Sequence, residues 1–265
     1  MPRAVTSTRT SRLSTRTSRL ARAAAVAGSA AALALALPGS ASAGVLQNLP
    51  ENATAFQKNF EPLYDYDTDS CYPAAAIDPS GTLNGGLNPT GPITGECRSG
   101  HLGQANTYSR AKCNNGWCGI VYASYFEKDE ASPGIGHRHD WECMVVWVQQ
   151  GADTPSYLSA SAHGGFSTHP IADVPMSGQR VEAVYHKDGA STHAFRFAKW
   201  GETPENDTGA WHQENLITWD NLASNLRDIL NASDWGNANF PLQDAKFADH
   251  LNKAKPSGIT FDPYA

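Results

Sequence analysis

Short apolar segments separated by turn-forming residues limit this chain to a fold made mainly of β-strands. The segments most like strands are rich in Val, Tyr, Phe and Ile, and they are residues 119–126, 144–148, 157–161, 181–186 and 194–197. The sequences at 131–134 and 187–189 are typical of turns between strands. Apolar residues recur at helical spacing at 222–230, where Asp220 or Asn221 could cap a helix, and more weakly at 244–253 and 52–60. We therefore expect a mostly β fold, a sandwich or a compact barrel with peripheral α-helices.

The first 43 residues have the order of a secretory signal peptide. Six arginines and no acidic residue occupy 1–22, an apolar stretch follows at 23–37, and small residues at 41–43 precede the expected cleavage after Ala43. The apolar stretch is shorter than the roughly 20 residues that span a bilayer. The sequence therefore predicts a secreted, extracellular protein, with a signal peptide at 1–43 and a single domain at 44–265.

Removing this segment makes the protein strongly acidic. The chain has 20 basic and 26 acidic side chains, and six of the basic ones lie in the predicted signal, which leaves 14 against 26 and a net charge of −12. Such a protein is a poor candidate for sequence-independent binding to nucleic acid, and we expect none. It is also a poor candidate for adsorption to anionic membranes by charge alone. Residues 44–265 contain no apolar stretch of spanning length.

All five cysteines lie in the part of the chain that would be exported, where disulfides can form. Cys113 and Cys118 enclose Asn-Asn-Gly-Trp, a sequence that suits a tight turn and a local bridge. Cys71 and Cys97 flank a loop rich in Gly, Pro and Asn, which a second bridge would restrain. The sequence alone permits other pairings. Cys143 is the odd cysteine, and the apolar run that follows it favours a buried, inert thiol.

One polar segment carries most of the candidate chemistry. Residues 134–142 are Gly-Ile-Gly-His-Arg-His-Asp-Trp-Glu, and the apolar run 143–148 follows directly. Two imidazoles, two carboxylates and a guanidinium are costly to place near a core unless something organises them, and a metal ion is the obvious organiser. If strand alternation starts at once, the segment divides between two faces. One face carries His137, His139 and Trp141, and the other carries Arg138, Asp140 and Glu142.

Different metals fit different parts of this segment. The histidine pair would suit zinc, whereas Asp140 and Glu142 would suit calcium or magnesium. A third carboxylate, Asp129, ends the preceding strand-like segment, and a hairpin would bring it beside Asp140. The complete set favours an oxygen-rich divalent site. The alternative without metal is a surface network in which Arg138 pairs with one of these carboxylates while a histidine fills a half-buried gap.

Other sites and enzyme classes have less support. The alternating Asp65, Asp67 and Asp69 resemble part of a calcium loop, but Ser70 and Ala76 occupy the glycine and glutamate positions of an EF-hand. The sequence has no Gly-x-Ser-x-Gly elbow, phosphate loop or His-Glu-x-x-His pair.

We therefore predict that the protein is not an enzyme. The enzymatic alternative is a metal-dependent hydrolase that uses His137, His139 and Asp140 as ligands and Glu142 as general base.

The heptapeptide at 136–142, GHRHDWE, resembles the signature of the necrosis- and ethylene-inducing proteins, a family of secreted cytolysins from plant-associated microbes. Four further segments resemble the same family: CYPA at 71–74, YASYFEKD at 122–129, SAHGG at 161–165 and LITWD at 216–220. The resemblance covers most of the chain from about residue 48 onward.

This resemblance implies a β-sandwich with helices at its edges, similar in architecture to the actinoporins of sea anemones and to fungal lectins. It implies a divalent cation, calcium or magnesium, near an acidic cavity, and damage to plant plasma membranes through sphingolipid headgroups. Carried over by position, the cation-binding residues are Asp129, His137, Asp140 and Glu142. Further candidates at the same site are Arg138, His139 and His163. We also expect a monomer in solution. The family alternative is a non-toxic member that acts as a lectin-like binder or is sensed by plant immunity.

The resemblance also bears on the cysteines and on the local backbone. It implies the common Cys71–Cys97 bridge and the second bridge of a two-disulfide subgroup, Cys113–Cys118. Cys143 departs from the family pattern, in which a histidine or another polar residue commonly follows the heptapeptide. A cation shared by His137 and Asp140 is incompatible with strict strand alternation, so we expect His137 in the loop before the strand, where the neighbouring glycines give the backbone freedom.

Overall fold

The computed structural model describes residues 44–265, which form two β-sheets and three short α-helices. The predicted signal peptide lies outside the described residues. The strands are β1 (Leu63–Tyr66), β2 (Asn106–Asn114), β3 (Trp117–Ser132), β4 (Ile135–Gln149), β5 (Tyr157–Ala162), β6 (Gly165–Pro170), β7 (Met176–Ser177), β8 (Arg180–Asp188), β9 (Thr192–Phe197) and β10 (Asn215–Thr218). The helices are α1 (Ala55–Asn59), α2 (Ser224–Ala232) and α3 (Phe247–Ala254). The predicted mostly β fold is confirmed.

The larger sheet has six strands in the order β10-β2-β3-β4-β5-β6 and is antiparallel except where β10 runs parallel to β2. The smaller sheet has the order β1-β8-β7, with β9 also paired to β8. Alternation along β3 sends Ile120 and Tyr122 into a core shared with the smaller sheet, and Val121 and Ala123 into a second core beneath α2 and α3. The central strands are buried on both faces, which explains their near-continuous apolar sequence.

The five strand-like segments of the sequence each lie within a strand, and the three helical segments each contain or overlap a helix. The predicted cap of α2 is wrong. Asp220 and Asn221 lie in a separate 3-10 turn, Trp219–Asn221, and the residue before α2 is Ala223, which makes no side-chain capping hydrogen bond. Among residues 44–265 no helix is long and apolar enough to cross a bilayer.

Both predicted disulfides are present. Cys71–Cys97 fastens the loop that precedes β2, and Cys113–Cys118 closes the turn between β2 and β3. Cys143 is free and buried, as expected. Beyond that turn, β3 and β4 form the longest hairpin, with 16 and 15 residues. This hairpin carries the GHRHDWE segment at one end of the sandwich.

Candidate metal centre

An unusual backbone conformation at His139 brings His137 and Asp140 to one place. His139 has a φ of +61°, in the left-handed region, and it lies between the Phe126–Asp140 and Lys128–Arg138 pairs of the hairpin. This interrupts the alternation, so two residues three positions apart can face the same site. His137 lies within β4, where it is the cross-strand partner of Asp129 in β3. The expectation that His137 lies in a loop before the strand is therefore wrong, as is strict alternation through the segment.

Asp129, His137 and Asp140 each present one possible ligand atom, and these atoms lie within 4.8 Å of one another. Nε2 of His137 is 3.7 Å from Oδ2 of Asp129. Both carboxylates are buried, and the hydroxyl of Tyr185 donates to Oδ2 of Asp140 at 2.7 Å. Burial and then the charge of Asp129 raise the pKa of Asp140 to about 7. Two oxygens and one imidazole suit a hard divalent cation, whose charge would offset the repulsion between the carboxylates.

Residues of the smaller sheet hold Asp129 in position. The backbone N–H of His193 donates to Oδ1 of Asp129 at 3.0 Å, Nδ1 of the same histidine lies 2.8 Å from that oxygen, and the hydroxyl of Thr192 donates to Oδ2. Nε2 of His193 lies 3.0 Å from the backbone oxygen of Asp69. Burial by itself would lower the pKa of His193. The hydrogen bond and the charge interaction with Asp129 outweigh this effect, so the pKa is raised overall. Both ring nitrogens therefore face acceptors, which favours the protonated imidazole.

Glu142 lies near this cluster but is not one of its three converging residues. Its Oε2 accepts a hydrogen bond from the hydroxyl of Ser161, which also accepts from the backbone N–H of Cys143. Burial and then the charge of Asp140 raise the pKa of Glu142 well above its usual range. Its role as a cation ligand remains a prediction.

The cluster opens into a cavity of about 270 Å³. One wall is the turn between β5 and β6, where His163 pairs with Asp188 at 2.9 Å. Another part of the lining is the loop at 237–239, which leads directly to Phe240, a residue that packs against Trp141 and Trp219. The polar side chains that line the cavity are His137, Asp140, Glu142, Ser161, His163, Thr192, Asn237, Asn239 and His250.

The side chains of His139 and Arg138 make their contacts away from the cation cluster, although the backbone oxygen of His139 lies 2.7 Å from Nδ1 of His137. Nδ1 of His139 is 2.7 Å from the hydroxyl of Tyr125, and its ring packs edge-on against Trp235 with centroids 5.3 Å apart. Burial, followed by the charges of Arg138 and His137, lowers the pKa of His139. The geometry therefore does not support a zinc site with two histidines, nor a hydrolase that uses His139 as a ligand.

Arg138 donates to the side chain of Asn88 and to the backbone oxygen of Gly85. It fastens the loop rich in Gly, Pro and Asn to β4 and pairs with neither Asp140 nor Glu142, so the surface-network alternative is wrong.

The acidic run at 65–69 does not form a second cation site among residues 44–265. Asp65 is buried and accepts hydrogen bonds from the backbone N–H groups of Glu205 and Asn206, while Asp67 lies 3.7 Å from the guanidinium of Arg196. Asp69 contributes its backbone oxygen to His193. Asp65 and Asp67 therefore stabilise the neighbouring loop, and Asp69 contacts the imidazole of His193 that lies against Asp129.

Thr192 and His193 were missed in the sequence. They lie about 50 residues after the heptapeptide and have no motif of their own. The only available signal was the predicted strand 194–197, whose start they adjoin, and nothing local indicated that β9 would lie against the β3–β4 hairpin.

Comparisons with known proteins bear on the family and the fold of this chain. A model of the necrosis inducing protein (NPP1) family matches residues 54–254. The chain is 36% identical to NLP effector protein 10 of Phytophthora capsici over 200 residues, which cover 74% of this chain and 81% of that protein.

Solved structures of two relatives are similar over most of this chain. NLPPya, solved in complex with mannosamine and with glucosamine, is 34% identical, with TM-scores of 0.69 and 0.68, over 79% of this chain and 95% of NLPPya. The protein described as non-toxic HaNLP3 is 29% identical, with a TM-score of 0.66, over 82% of this chain and 100% of its own.

Proposed function

Because this chain belongs to the necrosis inducing protein (NPP1) family, we propose that it is a secreted, non-enzymatic cytolysin that acts on plant plasma membranes. In this proposal Asp129, His137 and Asp140 bind a divalent cation, calcium or magnesium, with Glu142 beside them. The cation and the cavity together bind the sugar-bearing headgroup of a plant sphingolipid.

The observation that carries the proposal is a pair of buried carboxylates, Asp129 and Asp140, that converge with His137, where His137 and Asp140 also line an open cavity. Close, buried carboxylates repel each other, so the arrangement is most stable with a proton or a cation between them. The complexes of the relative NLPPya with mannosamine and glucosamine support a sugar as the ligand of the cavity. A bound cation can coordinate sugar hydroxyls as well as carboxylates, because both are oxygen ligands.

The net charge of residues 44–265 favours a specific membrane contact. At −12 the protein is repelled by anionic lipid surfaces, with a range set by a Debye length of roughly 8 Å at physiological ionic strength. A cation bound at the cavity would attract the oxygen atoms of a headgroup at this one point, although the net charge of the protein repels an anionic membrane over the rest of its surface. The proposed attachment therefore requires both the cation and a recognised headgroup.

Dye leakage from plant plasma-membrane vesicles tests this function. We expect leakage with added calcium or magnesium. Leakage should fall at least about tenfold with chelator, which removes the cation, and in Asp140→Asn, which lacks one of the two buried carboxylate ligands. Asp228→Asn is the matched control, since Asp228 is exposed on α2 and lines neither the cavity nor the cluster.

Two further measurements complete this test. Calorimetry should show that Asp140→Asn loses cation binding, while circular dichroism shows that it keeps the fold. Full leakage by Asp140→Asn, or full leakage in chelator, would contradict the cation-bridge mechanism. Turnover of an ester, phosphate or glycoside that depends on Asp140 would contradict the proposal that the protein is not an enzyme.

The similarity to non-toxic HaNLP3 favours a second candidate, a binding protein that does not lyse membranes. Such a protein would show cation-dependent binding to the same vesicles without leakage. Measuring binding and leakage on one vesicle preparation distinguishes the two candidates.

A further inference from the structure

A second groove adjoins the cavity of the candidate metal centre. It measures about 230 Å³ and lies along one side of α3. It shares two residues with the cavity, Asn239 and His250, which therefore form the boundary between the two spaces. The full lining of the groove is Asn239, Lys246, Asp249, His250, Asn252, Lys253 and Tyr264.

Two lysines make this groove more positive than the rest of an acidic protein. Lys246 immediately precedes α3 and Lys253 lies in its last turn, about two helical turns away and on the same side. Neither forms an ion pair with a carboxylate in the described part of the chain. The single carboxylate of the groove, Asp249, accepts a hydrogen bond from the hydroxyl of Tyr264 at 2.7 Å. Lys253 reaches towards the cavity, because its Nζ donates to the backbone oxygen of Gly164 at 3.2 Å.

His250 connects the two spaces and has an unused hydrogen-bonding atom. Its side chain is only 8% exposed, and its Nδ1 is buried without a hydrogen-bond partner among residues 44–265. An unpaired buried polar atom costs free energy, and a bound ligand or water would recover it. Burial, then the charges of Lys253 and Lys246, lower the pKa of His250 to about 4. The ring is therefore neutral at physiological pH, and the positive charge of the groove comes from the two lysines.

We propose that this groove binds a phosphate ester carried by the same ligand whose sugar occupies the cavity. The proposal rests on the proposed function, since it deepens the recognition of a sugar-bearing headgroup. Lysine ammonium groups bind phosphate as point charges and tolerate varied approach angles. A ligand that fills both spaces gains affinity because its second contact is intramolecular. The groove would thus select phosphate-bearing sugars over neutral ones on a protein that otherwise repels anions.

Calorimetric titration with three probes tests the groove, each in the presence of calcium or magnesium. The probes are glucosamine, glucosamine 6-phosphate and inorganic phosphate. We expect the wild-type protein to bind glucosamine 6-phosphate about tenfold more tightly than glucosamine, a difference in the range of one or two charge-assisted hydrogen bonds. In Lys246→Gln/Lys253→Gln this preference should fall below about twofold, with unchanged affinity for glucosamine.

The control is Lys199→Gln/Arg227→Gln, which removes the same charge from residues that line neither the groove nor the cavity. It should keep the full preference for the phosphate ester. If the control loses as much preference as the groove variant, net charge and not the groove is responsible, and the proposal fails.

The remaining outcomes are equally decisive. Equal affinity of the wild-type protein for the two sugars, or a preference that survives loss of both lysines, overturns the proposal. Lysine-dependent binding of inorganic phosphate without any preference for the phosphate ester also overturns it, because the groove would then bind a free anion only. Lysine-dependent binding of the phosphate ester without any binding of glucosamine supports the groove and contradicts the sugar site of the proposed function.

Discussion

At the residue scale, the candidate metal centre depends on two backbone conformations in β4. Gly136 has a φ of +149°, and a Cβ at this position would lie 1.8 Å from the backbone oxygen of Asp129. Three residues later, His139 adopts the left-handed conformation that lets His137 and Asp140 face one site. The conformation of Gly136 allows β3 and β4 to approach closely beside Asp129 and His137. The conformation of His139 determines that His137 and Asp140 face the same site.

We expect Gly136→Ala to destabilise the protein because the added methyl group collides with the backbone of the partner strand. The expected loss in the free energy of unfolding is roughly 2–5 kcal/mol, from overpacking and backbone strain together. Urea denaturation measures it. Gly134→Ala is the control, since its Cβ would meet nothing within 4 Å and only its φ of +76° is unfavourable, at about 1–2 kcal/mol. Equal losses in the two variants would show that the close approach at Gly136 does not matter.

The sequence could predict Asp129, His137 and Asp140 because one hairpin carries all three. It could not predict the side on which His137 lies, since only a few per cent of non-glycine residues adopt the left-handed conformation and no sequence pattern marks His139 as one of them. Thr192 and His193 were beyond reach for a different reason. Their role arises from contact between two sheets, and this contact is a tertiary feature with no local pattern.

At the scale of elements, long and doubly buried strands were the easiest to predict. The cores of β3 and β4 contain near-continuous apolar residues, whereas β2 contains several polar residues and β1 and β10 have four residues each. The short strands β1 and β10 pair in parallel with β8 and β2, which are distant in sequence. Such pairs depend on long-range contacts, so the sequence pattern missed them.

The two disulfides differ in the length of chain that they close, and their removal should differ accordingly. Cys71 and Cys97 are 26 residues apart, whereas Cys113 and Cys118 are 5 apart. A bridge restricts the unfolded chain more when it closes a longer loop. We therefore expect Cys71→Ala/Cys97→Ala to lose about 3.5 kcal/mol of unfolding free energy and Cys113→Ala/Cys118→Ala about 2 kcal/mol.

Chemical denaturation of the purified variants measures these losses. Cys143→Ala is the control that removes a buried thiol without removing a bridge. A larger loss from the short bridge would contradict the loop-length explanation.

At the scale of the whole molecule, we expect stability to depend on pH through buried and half-buried carboxylates outside the metal centre. Burial raises the pKa of Glu61 to about 7 against the opposing effect of Lys58, and burial raises that of Asp67 to about 6. A carboxyl whose pKa is raised by folding stabilises the folded state fully below its unfolded pKa, and this stability is lost as pH rises through the folded value. For Glu61 the loss falls between about pH 4.5 and 7.

In a chelator that removes divalent cations, we expect the protein to have a higher Tm at pH 5 than at pH 8. The substitution Glu61→Gln should reduce this difference in Tm by on the order of a few degrees. Differential scanning calorimetry measures both values. Glu202→Gln is the control, because Arg196 lowers the pKa of Glu202 to about 2, and its contribution is constant from pH 5 to 8. An unchanged difference in Glu61→Gln would exclude Glu61 as a source of the pH dependence.

The contacts around Asp129 and Asp140 join the two halves of the sandwich. Both carboxylates belong to the larger sheet, and their hydrogen-bond donors Thr192, His193 and Tyr185 belong to the smaller one. Separation of the two sheets would remove these donors and leave both carboxylates without the hydrogen bonds that orient them. We therefore expect a bound cation to dissociate when the sheets separate. If the cation attaches the protein to a membrane, attachment and an opened sandwich are mutually exclusive. Under the proposed function, the protein would then act on the bilayer with its two sheets still packed together, through the lipids that it binds and not by unfolding into the membrane.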